Sequence, residues 1–278
     1  MRLRNFLLTS ILIYLFNSCE FKIKEQEYEN GPGKAKEDVG LEMSNPDVSK
    51  DFLLGKFDYR KDDRFVLVDK KWCDKEIYLQ KKTYQAFVKM AEAAKEDDID
   101  LTVVSGTRNF NDQKIIWEKK WKNNQKKVKN SKDNALKILL YSSMPATSRH
   151  HWGTDLDINS VEESYFDGAK GKKVYRWLVE NAAKFGFCQV YSEKNKKRTG
   201  YNTEVWHWSY MPLSNYYLDN YVKNISYSDI NGFLGSESAK EINMIQNYVQ
   251  GIDRSCSSLS SEQPEEKWPI REKSLRQT

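Results

Sequence analysis

The apolar residues around positions 80–96 predict an amphipathic helix. They recur at intervals of three and four residues, as residues on one face of a helix do. This stripe consists of Leu79, Tyr84, Phe87, Val88, Ala91 and Ala94. The acidic residues 96–98 would close the helix, and its apolar face would pack on a core.

Similar spacing predicts helices further along the chain. One of them would be capped by Asn111 or Asp112. Its apolar side would consist of Ile115, Ile116, Trp117 and Trp121. Other helices are predicted over residues 133–141, 174–185 and 237–249. Gly186 would be the C-cap of the helix over residues 174–185.

Short runs rich in β-branched and aromatic residues predict strands. They cover residues 64–69, 101–104, 154–158, 187–191 and 204–210. In the third run Leu156 and Ile158 would face the core, while Asp155 and Asp157 would face a cleft. The last two runs would pair as a β-hairpin. These elements predict an α+β domain with a small, mainly antiparallel sheet and flanking helices.

The two ends of the chain differ from the middle. Residues 1–18 combine basic residues with an apolar run too short to span a bilayer, which is typical of an export signal. Cys19 follows directly and resembles the lipid-carrying cysteine in the lipobox of bacterial lipoproteins; simple signal cleavage is the alternative. We therefore expect an exported lipoprotein of the bacterial cell envelope, anchored to the membrane on the periplasmic side.

Composition along the chain also predicts its organisation. Charged residues and Gly-Pro breaks suggest a flexible tether, and the Ser- and Glu-rich end suggests disorder. The expected divisions are a tether over 19–50, a folded domain over 51–225, an additional helix over 226–252 and a disordered tail over 253–278.

Charge bears on which partners the protein can bind, and cysteine content bears on whether it forms disulfides. The net charge of +5 comes with no nucleic-acid-binding motif, so we do not expect the protein to bind nucleic acid. We expect it to be a monomer. Lysines 119, 120, 122, 126, 127 and 129 would form a solvated basic face, with a docking patch for an anionic partner as the alternative. Cys73, Cys188 and Cys256 would be buried or free thiols, with one disulfide as the alternative in an exported protein.

All three histidines, His150, His151 and His207, lie in two short segments. Two imidazoles and a carboxylate from separate segments can bind Zn²⁺ and leave a fourth position open, as in catalytic zinc sites. An open position holds water, which points to hydrolysis. Glu204 would lie on a bend before its strand, where it can take a proton from that water without being a ligand.

Three motifs occur in order along the chain. They are Ser-Gly-x-Arg at 105–108, Ser-x-His-x-x-Gly-x-x-x-Asp at 148–157 and Glu-x-Trp-His at 204–207. Together they resemble the motifs of the VanY-type D-alanyl-D-alanine carboxypeptidases, zinc peptidases of peptidoglycan whose core is shared with the Hedgehog amino-terminal domain. The resemblance covers about residues 55–215.

The resemblance implies a role for each matching residue. His150, Asp157 and His207 would be the zinc ligands, and Glu204 would be the catalytic base. Arg108 would stabilise the substrate carbonyl or carboxylate, and Ser148 would be a further substrate contact. The implied reaction is removal of the terminal D-alanine from peptidoglycan stem peptides. The alternatives are an endopeptidase of the same family and a non-catalytic surface lipoprotein stapled by zinc.

Two residues of the second motif need separate interpretation. Many family members carry alanine where this chain has Asp155. Asp155 would either alter ligation and substrate choice or form a salt bridge to Arg149 or a lysine. His151 would point away from His150, so we assign it to structure or to the lining of the cleft.

Overall fold

The computed structural model describes residues 48–128, 130–194 and 198–258. The predicted export signal, Cys19 and most of the predicted tether and tail lie outside the described residues. Within the described part of the chain, none of the helices is both long enough and apolar enough to cross a bilayer.

The described residues form eight α-helices and six strands. The helices are α1 Lys50–Leu53, α2 Lys81–Glu96, α3 Phe110–Asn124, α4 Ser131–Ile138, α5 Glu163–Asp167, α6 Ala169–Asn181, α7 Met211–Asn224 and α8 Ser238–Glu241. The strands are β1 Phe65–Leu67, β2 Tyr78–Gln80, β3 Val103–Ser105, β4 Asp155–Ile158, β5 Phe187–Cys188 and β6 His207–Tyr210.

The strands form two antiparallel sheets. The larger sheet has the order β3-β4-β6-β5, and the smaller one pairs β1 with β2. The predicted hairpin is present, because β5 pairs with β6 in antiparallel register. Helices cover the sheets, so the prediction of an α+β domain with a small antiparallel sheet is confirmed.

The start of α3 differs from its prediction. Its N-cap is Asn109, whose side chain accepts a hydrogen bond from the backbone N–H of Asp112 at 2.9 Å. The Asp112 carboxylate in turn accepts from the backbone N–H of Asn109 at 3.0 Å. This reciprocal capping box begins the helix earlier than the predicted cap at Asn111 or Asp112.

One buried apolar cluster lies beneath β4. Leu156 and Ile158 pack there with Phe87 of α2 and with Leu178 of α6, and all four are fully buried. This arrangement confirms the predicted inward side of the strand and the apolar stripe of α2. The opposite side of β4 is left to the two aspartates, Asp155 and Asp157.

The C-terminal part of the described chain packs on the domain. Ile242, Ile245 and Val249 are buried in the same cluster as Trp117 of α3. They do not form the single predicted helix, because Asn243 has a φ of 52°, which interrupts the helix after α8. A π-helical turn follows at Ile245–Val249. Residues 254–258 form a 3₁₀ turn, so order continues beyond the predicted start of the tail at residue 253.

A disulfide joins Cys188 of β5 to Cys256, and their Cα atoms are 5.7 Å apart. The expectation of free thiols is therefore wrong for these two residues. Cys73 is a free, buried thiol, as expected. Sequence spacing does not reveal this bridge, because its two ends are 68 residues apart and meet only through tertiary packing.

Candidate metal and catalytic site

Three side chains converge at the centre of the larger sheet. His150 comes from a 3₁₀ turn at Arg149–Trp152, Asp157 from β4 and His207 from β6. One ligand atom from each lies within 4.8 Å of the other two, and all three residues are buried. The Asp157 carboxylate is central, because its Oδ1 atom is 3.6 Å from His150 Nε2 and 3.2 Å from His207 Nδ1.

Local sequence explains this convergence. The register of β4 against β6 places Asp157 directly opposite His207. Gly153 has a φ of 69°, and a Cβ atom there would lie 2.3 Å from the ring of Phe65. Glycine therefore lets the chain turn sharply after His150 and enter β4. The turn and the strand register together bring the two motif segments onto one point.

Each histidine holds a second partner away from the cluster. His150 Nδ1 lies 2.8 Å from the carbonyl oxygen of Gly106 and donates to it. His207 Nε2 lies 3.0 Å from a carboxylate oxygen of Asp155. With those protons donated outward, the neutral imidazoles of His150 and His207 would present the lone pairs of Nε2 and Nδ1 to Asp157. Three acceptor atoms this close need a cation between them, and two nitrogens with one carboxylate oxygen suit Zn²⁺.

Charges within the cluster are strongly coupled. Burial alone would lower the pKa of His207, but hydrogen bonds to Asp155 and Asp157 raise it to about 9. Burial and the charge of Arg108 lower the pKa of His150. Burial alone would raise the pKa of Asp157, but the charge of His150 and hydrogen bonds from both histidines hold it far below its usual range. In the metal-free protein, a proton on His207 thus occupies the place that a metal cation would take.

Glu204 lies beside the cluster, just before the turn that leads into β6. This is the predicted bend. The side chain is buried, and its Oε2 atom is 3.7 Å from His207 Nδ1. Burial raises the pKa of Glu204 to about 8, against the opposing charge of His207. A carboxyl group this close to the cluster is placed to take a proton from a bound water molecule and to return it.

In the metal-free protein, the stability of the wild type should fall relative to that of Glu204→Gln as pH rises from 4.5 to about 8. The folded pKa of Glu204 is raised, so its contribution to stability is complete below the unfolded pKa and is lost as pH rises through the folded pKa. The slope cannot exceed about 1.4 kcal/mol per pH unit. Urea unfolding in the presence of a chelator would measure both proteins across this range. Two parallel profiles would contradict the buried-carboxyl assignment.

Arg108 is held in place at the end of β3. Its Nη1 donates to Ser105 Oγ at 2.6 Å and its Nε donates to Gln113 Oε1 at 3.0 Å. Nη1 also lies 3.9 Å from Asp157 Oδ2. Sequence reasoning missed Gln113, although a polar residue on the buried side of a predicted helix is a signal that could have found it. The guanidinium group is thus fixed beside the cluster with its donors arranged in one plane.

A cavity of about 590 Å³ opens onto these groups. Arg108, Glu204 and the three residues of the metal cluster all line it. A second cavity of similar volume shares Arg108 and Asp157 with the first. Arg108 and Asp157 are therefore accessible from both cavities.

The sequence analysis also did not assign two residues to the site, the aromatic Tyr191 and the basic Lys120. Tyr191 packs on the imidazole of His207, with ring centroids 4.6 Å apart. Lys120, expected on a solvated basic face, lines the cavity and donates to Ser142 Oγ at 2.6 Å. Neither residue carries a local signal, because both reach the site only through tertiary packing.

The remaining motif residues have different surroundings. His151 Nδ1 donates to the carbonyl oxygen of Arg108 at 2.7 Å, and its Nε2 accepts from the backbone N–H of Ala146 at 3.1 Å. Burial lowers the pKa of His151 to about 3, so it is neutral and serves as a structural link. The Ser148 hydroxyl is buried without a hydrogen-bond partner in the described part of the chain and is not in the cavity lining. Its substrate contact stays a prediction.

The fold and the site define a class: an α+β domain with a buried His-Asp-His cluster and a neighbouring carboxylate at one cavity. Residues 76–213 match the model of the VanY family, described as D-alanyl-D-alanine carboxypeptidase. This segment contains all three motifs. This segment, about half of the chain, belongs to the VanY-type D-alanyl-D-alanine carboxypeptidase family.

Individual relatives agree with this assignment. A D-alanyl-D-alanine carboxypeptidase of Enterococcus faecalis is 33% identical over 124 residues, which span 44% of each chain. The putative carboxypeptidase YodJ of Bacillus subtilis is 31% identical over 140 residues, which span 48% of this chain and 46% of YodJ. The chain thus spans a little under half the length of these curated relatives.

The chain also matches solved structures, among them VanYB in complex with D-alanine-D-alanine. That structure has a TM-score of 0.43 and 24% identity over 66% of this chain and 86% of its own. The LD-carboxypeptidase LdcB has a TM-score of 0.45 and 21% identity over 72% of this chain and 81% of its own.

Proposed function

We propose that the protein is a zinc-dependent D-alanyl-D-alanine carboxypeptidase that acts on peptidoglycan stem peptides. The observation that carries the proposal is the cluster of His150, Asp157 and His207 at one cavity with Glu204 and Arg108. A structural zinc staple needs neither a buried carboxylate beside the metal nor a fixed guanidinium group. The curated relatives are named as carboxypeptidases, which supports the same reaction.

The chain's own residues divide the work. Zinc, when bound, supplies a Lewis acid that polarises the scissile carbonyl and activates water for attack. Glu204 takes the proton of the attacking water and passes it to the leaving amine of D-alanine. Arg108 donates hydrogen bonds either to the developing oxyanion or to the terminal carboxylate of the peptide.

We also propose that the protein works outside the cytoplasm, as a lipoprotein anchored through Cys19. The Cys188–Cys256 disulfide supports an oxidising compartment, because such bridges are rare where thiols are kept reduced. A peptidoglycan substrate would be available in that compartment. Palmitate labelling of the wild type, but not of Cys19→Ala, is the expected result for the anchor.

Hydrolysis of a defined peptide tests the reaction directly. Zinc-loaded protein should release D-alanine from a stem peptide ending in D-Ala-D-Ala. A chelator should abolish the release, and added zinc should restore it. The matched control is the same peptide ending in D-Ala-L-Ala, because the altered stereocentre changes only the leaving group. Mass spectrometry of the products identifies the bond that is cut.

Three outcomes distinguish the alternatives. Free D-alanine supports the carboxypeptidase. Larger fragments from intact peptidoglycan, without free D-alanine, would replace it with an endopeptidase. Zinc binding without hydrolysis of either substrate would leave a non-catalytic zinc-stapled protein.

A further inference from the structure

A buried polar network lies behind His207, on the side away from the cavity centre. Arg149 Nε donates to Asp155 Oδ2 at 2.9 Å, and the same oxygen lies 3.0 Å from His207 Nε2. Arg149 Nη2 donates to Ser209 Oγ at 2.7 Å. Ser209 Oγ in turn lies 2.8 Å from Asp155 Oδ1. The network therefore ties the imidazole of His207 to a fixed ion pair.

Burying this ion pair costs free energy, because both charged groups lose their contact with water. The Arg149 and Asp155 side chains are 1% and 0% exposed, so both charges are removed from water. Buried ion pairs are often no more stabilising than apolar residues of the same volume, so stability alone does not explain the pair.

We propose that Asp155 is a positioning residue that orients His207 for metal binding, and that Arg149 is the counterion that holds Asp155 in place. The inference rests on the metal site of the proposed function, and it concerns metal affinity rather than peptide hydrolysis.

The geometry shows what Asp155 selects. An imidazole has one N–H in its neutral form, and the Asp155 carboxylate can only accept a proton from Nε2. Nδ1 is then left as a lone pair that faces Asp157 at 3.2 Å. The other tautomer would point an N–H at the metal position. Tyr191 packs on the face of the ring and limits its tilt, but a ring contact does not select a tautomer.

A second effect acts through basicity. A carboxylate that accepts the outer N–H of a ligating histidine makes the inner nitrogen a better donor, and removing such a partner typically weakens metal binding 10–100-fold. The ion pair to Arg149 keeps the Asp155 carboxylate ionised and aimed at His207. Asp155 and Arg149 should therefore act as one unit.

Zinc affinity of paired variants tests the proposal. Asp155→Ala combined with Arg149→Met removes both charges, so neither is left buried without a partner. Its zinc dissociation constant, measured by competition with a chromophoric chelator, should rise about 10–100-fold while circular dichroism shows a retained fold. Asp155→Asn combined with Arg149→Met should recover part of the loss, because an amide oxygen still accepts the proton of His207 Nε2.

A spectroscopic measurement separates positioning from general stability. Nitrogen-15 NMR of the zinc-loaded wild type should show His207 protonated at Nε2, and Co²⁺ absorption should change in the Ala/Met variant but little in the Asn/Met variant. The matched control is Asp62→Ala combined with Arg64→Met, which removes a bidentate ion pair whose residues line neither cavity at the cluster. Its zinc affinity should equal that of the wild type.

Two results would overturn the inference. One is an Ala/Met variant that binds zinc as tightly as the wild type, and the other is an equal loss in the Asp62/Arg64 control. Failure of the protein to hydrolyse any peptide would sink the proposed function but leave a measured loss of zinc affinity standing.

Discussion

Glu204→Gln should lower kcat for D-alanine release by about 10²–10⁴-fold, the contribution typical of general acid–base catalysis, while zinc stays bound. Glutamine keeps the shape of the side chain but cannot take the proton of the attacking water. Glu204 is buried beside His207 and lies outside the three-residue cluster, so its loss should not remove a ligand. Steady-state kinetics on the D-Ala-D-Ala peptide, with zinc content measured on the same sample, would check both statements.

A matched control separates proton transfer from a general loss of charge. Glu163 also lines the cavity, where its carboxylate accepts a hydrogen bond from the Tyr141 hydroxyl at 3.1 Å. Glu163→Gln should therefore hydrolyse the peptide at nearly the wild-type rate. A similar loss in both variants, or a Glu204→Gln enzyme with unchanged kcat and full zinc, would show that the base has been misassigned.

Cys188→Ser combined with Cys256→Ser should lower the free energy of unfolding by about 4 kcal/mol. The bridge closes a loop of 68 residues, and the chain-entropy model gives about this value for a loop of that length. Loss of the disulfide should also affect the candidate catalytic site. The segment that leads to Cys256 contacts the residues before Glu204, because the backbone N–H of Asp253 donates to the carbonyl oxygen of Val190 at 2.8 Å and the Thr199 hydroxyl donates to the carbonyl oxygen of Asn247 at 2.8 Å.

Urea unfolding at fixed pH, with and without a reductant, would measure this effect. Reduced wild type should match the double variant, and oxidised wild type should be more stable than both. Cys73→Ser is the matched control, since it changes a buried sulfur atom outside the bridge and should respond to reductant as the wild type does. A double variant as stable as the oxidised wild type would contradict the assigned role of the bridge.

The candidate site could be located from the sequence because its chemistry is concentrated in short motifs. Only three histidines exist, and strand alternation placed Asp157 on the side opposite Leu156. Both signals are local in the sequence. In the folded chain, the register of β4 against β6 then places Asp157 opposite His207. The apolar stripe of α2 could also be recognised from the sequence, because only one face of this helix is buried.

The parts that escaped prediction depend on contacts between distant segments. Helix α7 is an exception, because its buried residues recur at intervals of three and four and give a local signal that the sequence analysis did not use; they are Met211, Ser214, Tyr217 and Tyr221. Gln113, Lys120 and Tyr191 gain their roles from what they meet in the folded chain. The choice between two readings of Asp155 also required the structure, which shows the salt bridge to Arg149 together with the contact to His207.

The order of strands in the larger sheet has a consequence for how the protein is made. Strand β6 is the last of the four along the chain, yet it lies between β4 and β5. Until residues 207–210 have emerged from the ribosome and inserted, one edge of β4 and both edges of β5 carry unpaired backbone groups, which favour pairing with other chains. His207 arrives with that final strand. We therefore expect zinc to bind only after β6 has paired with β4 and β5. A chain truncated before β6 should aggregate whether or not zinc is present.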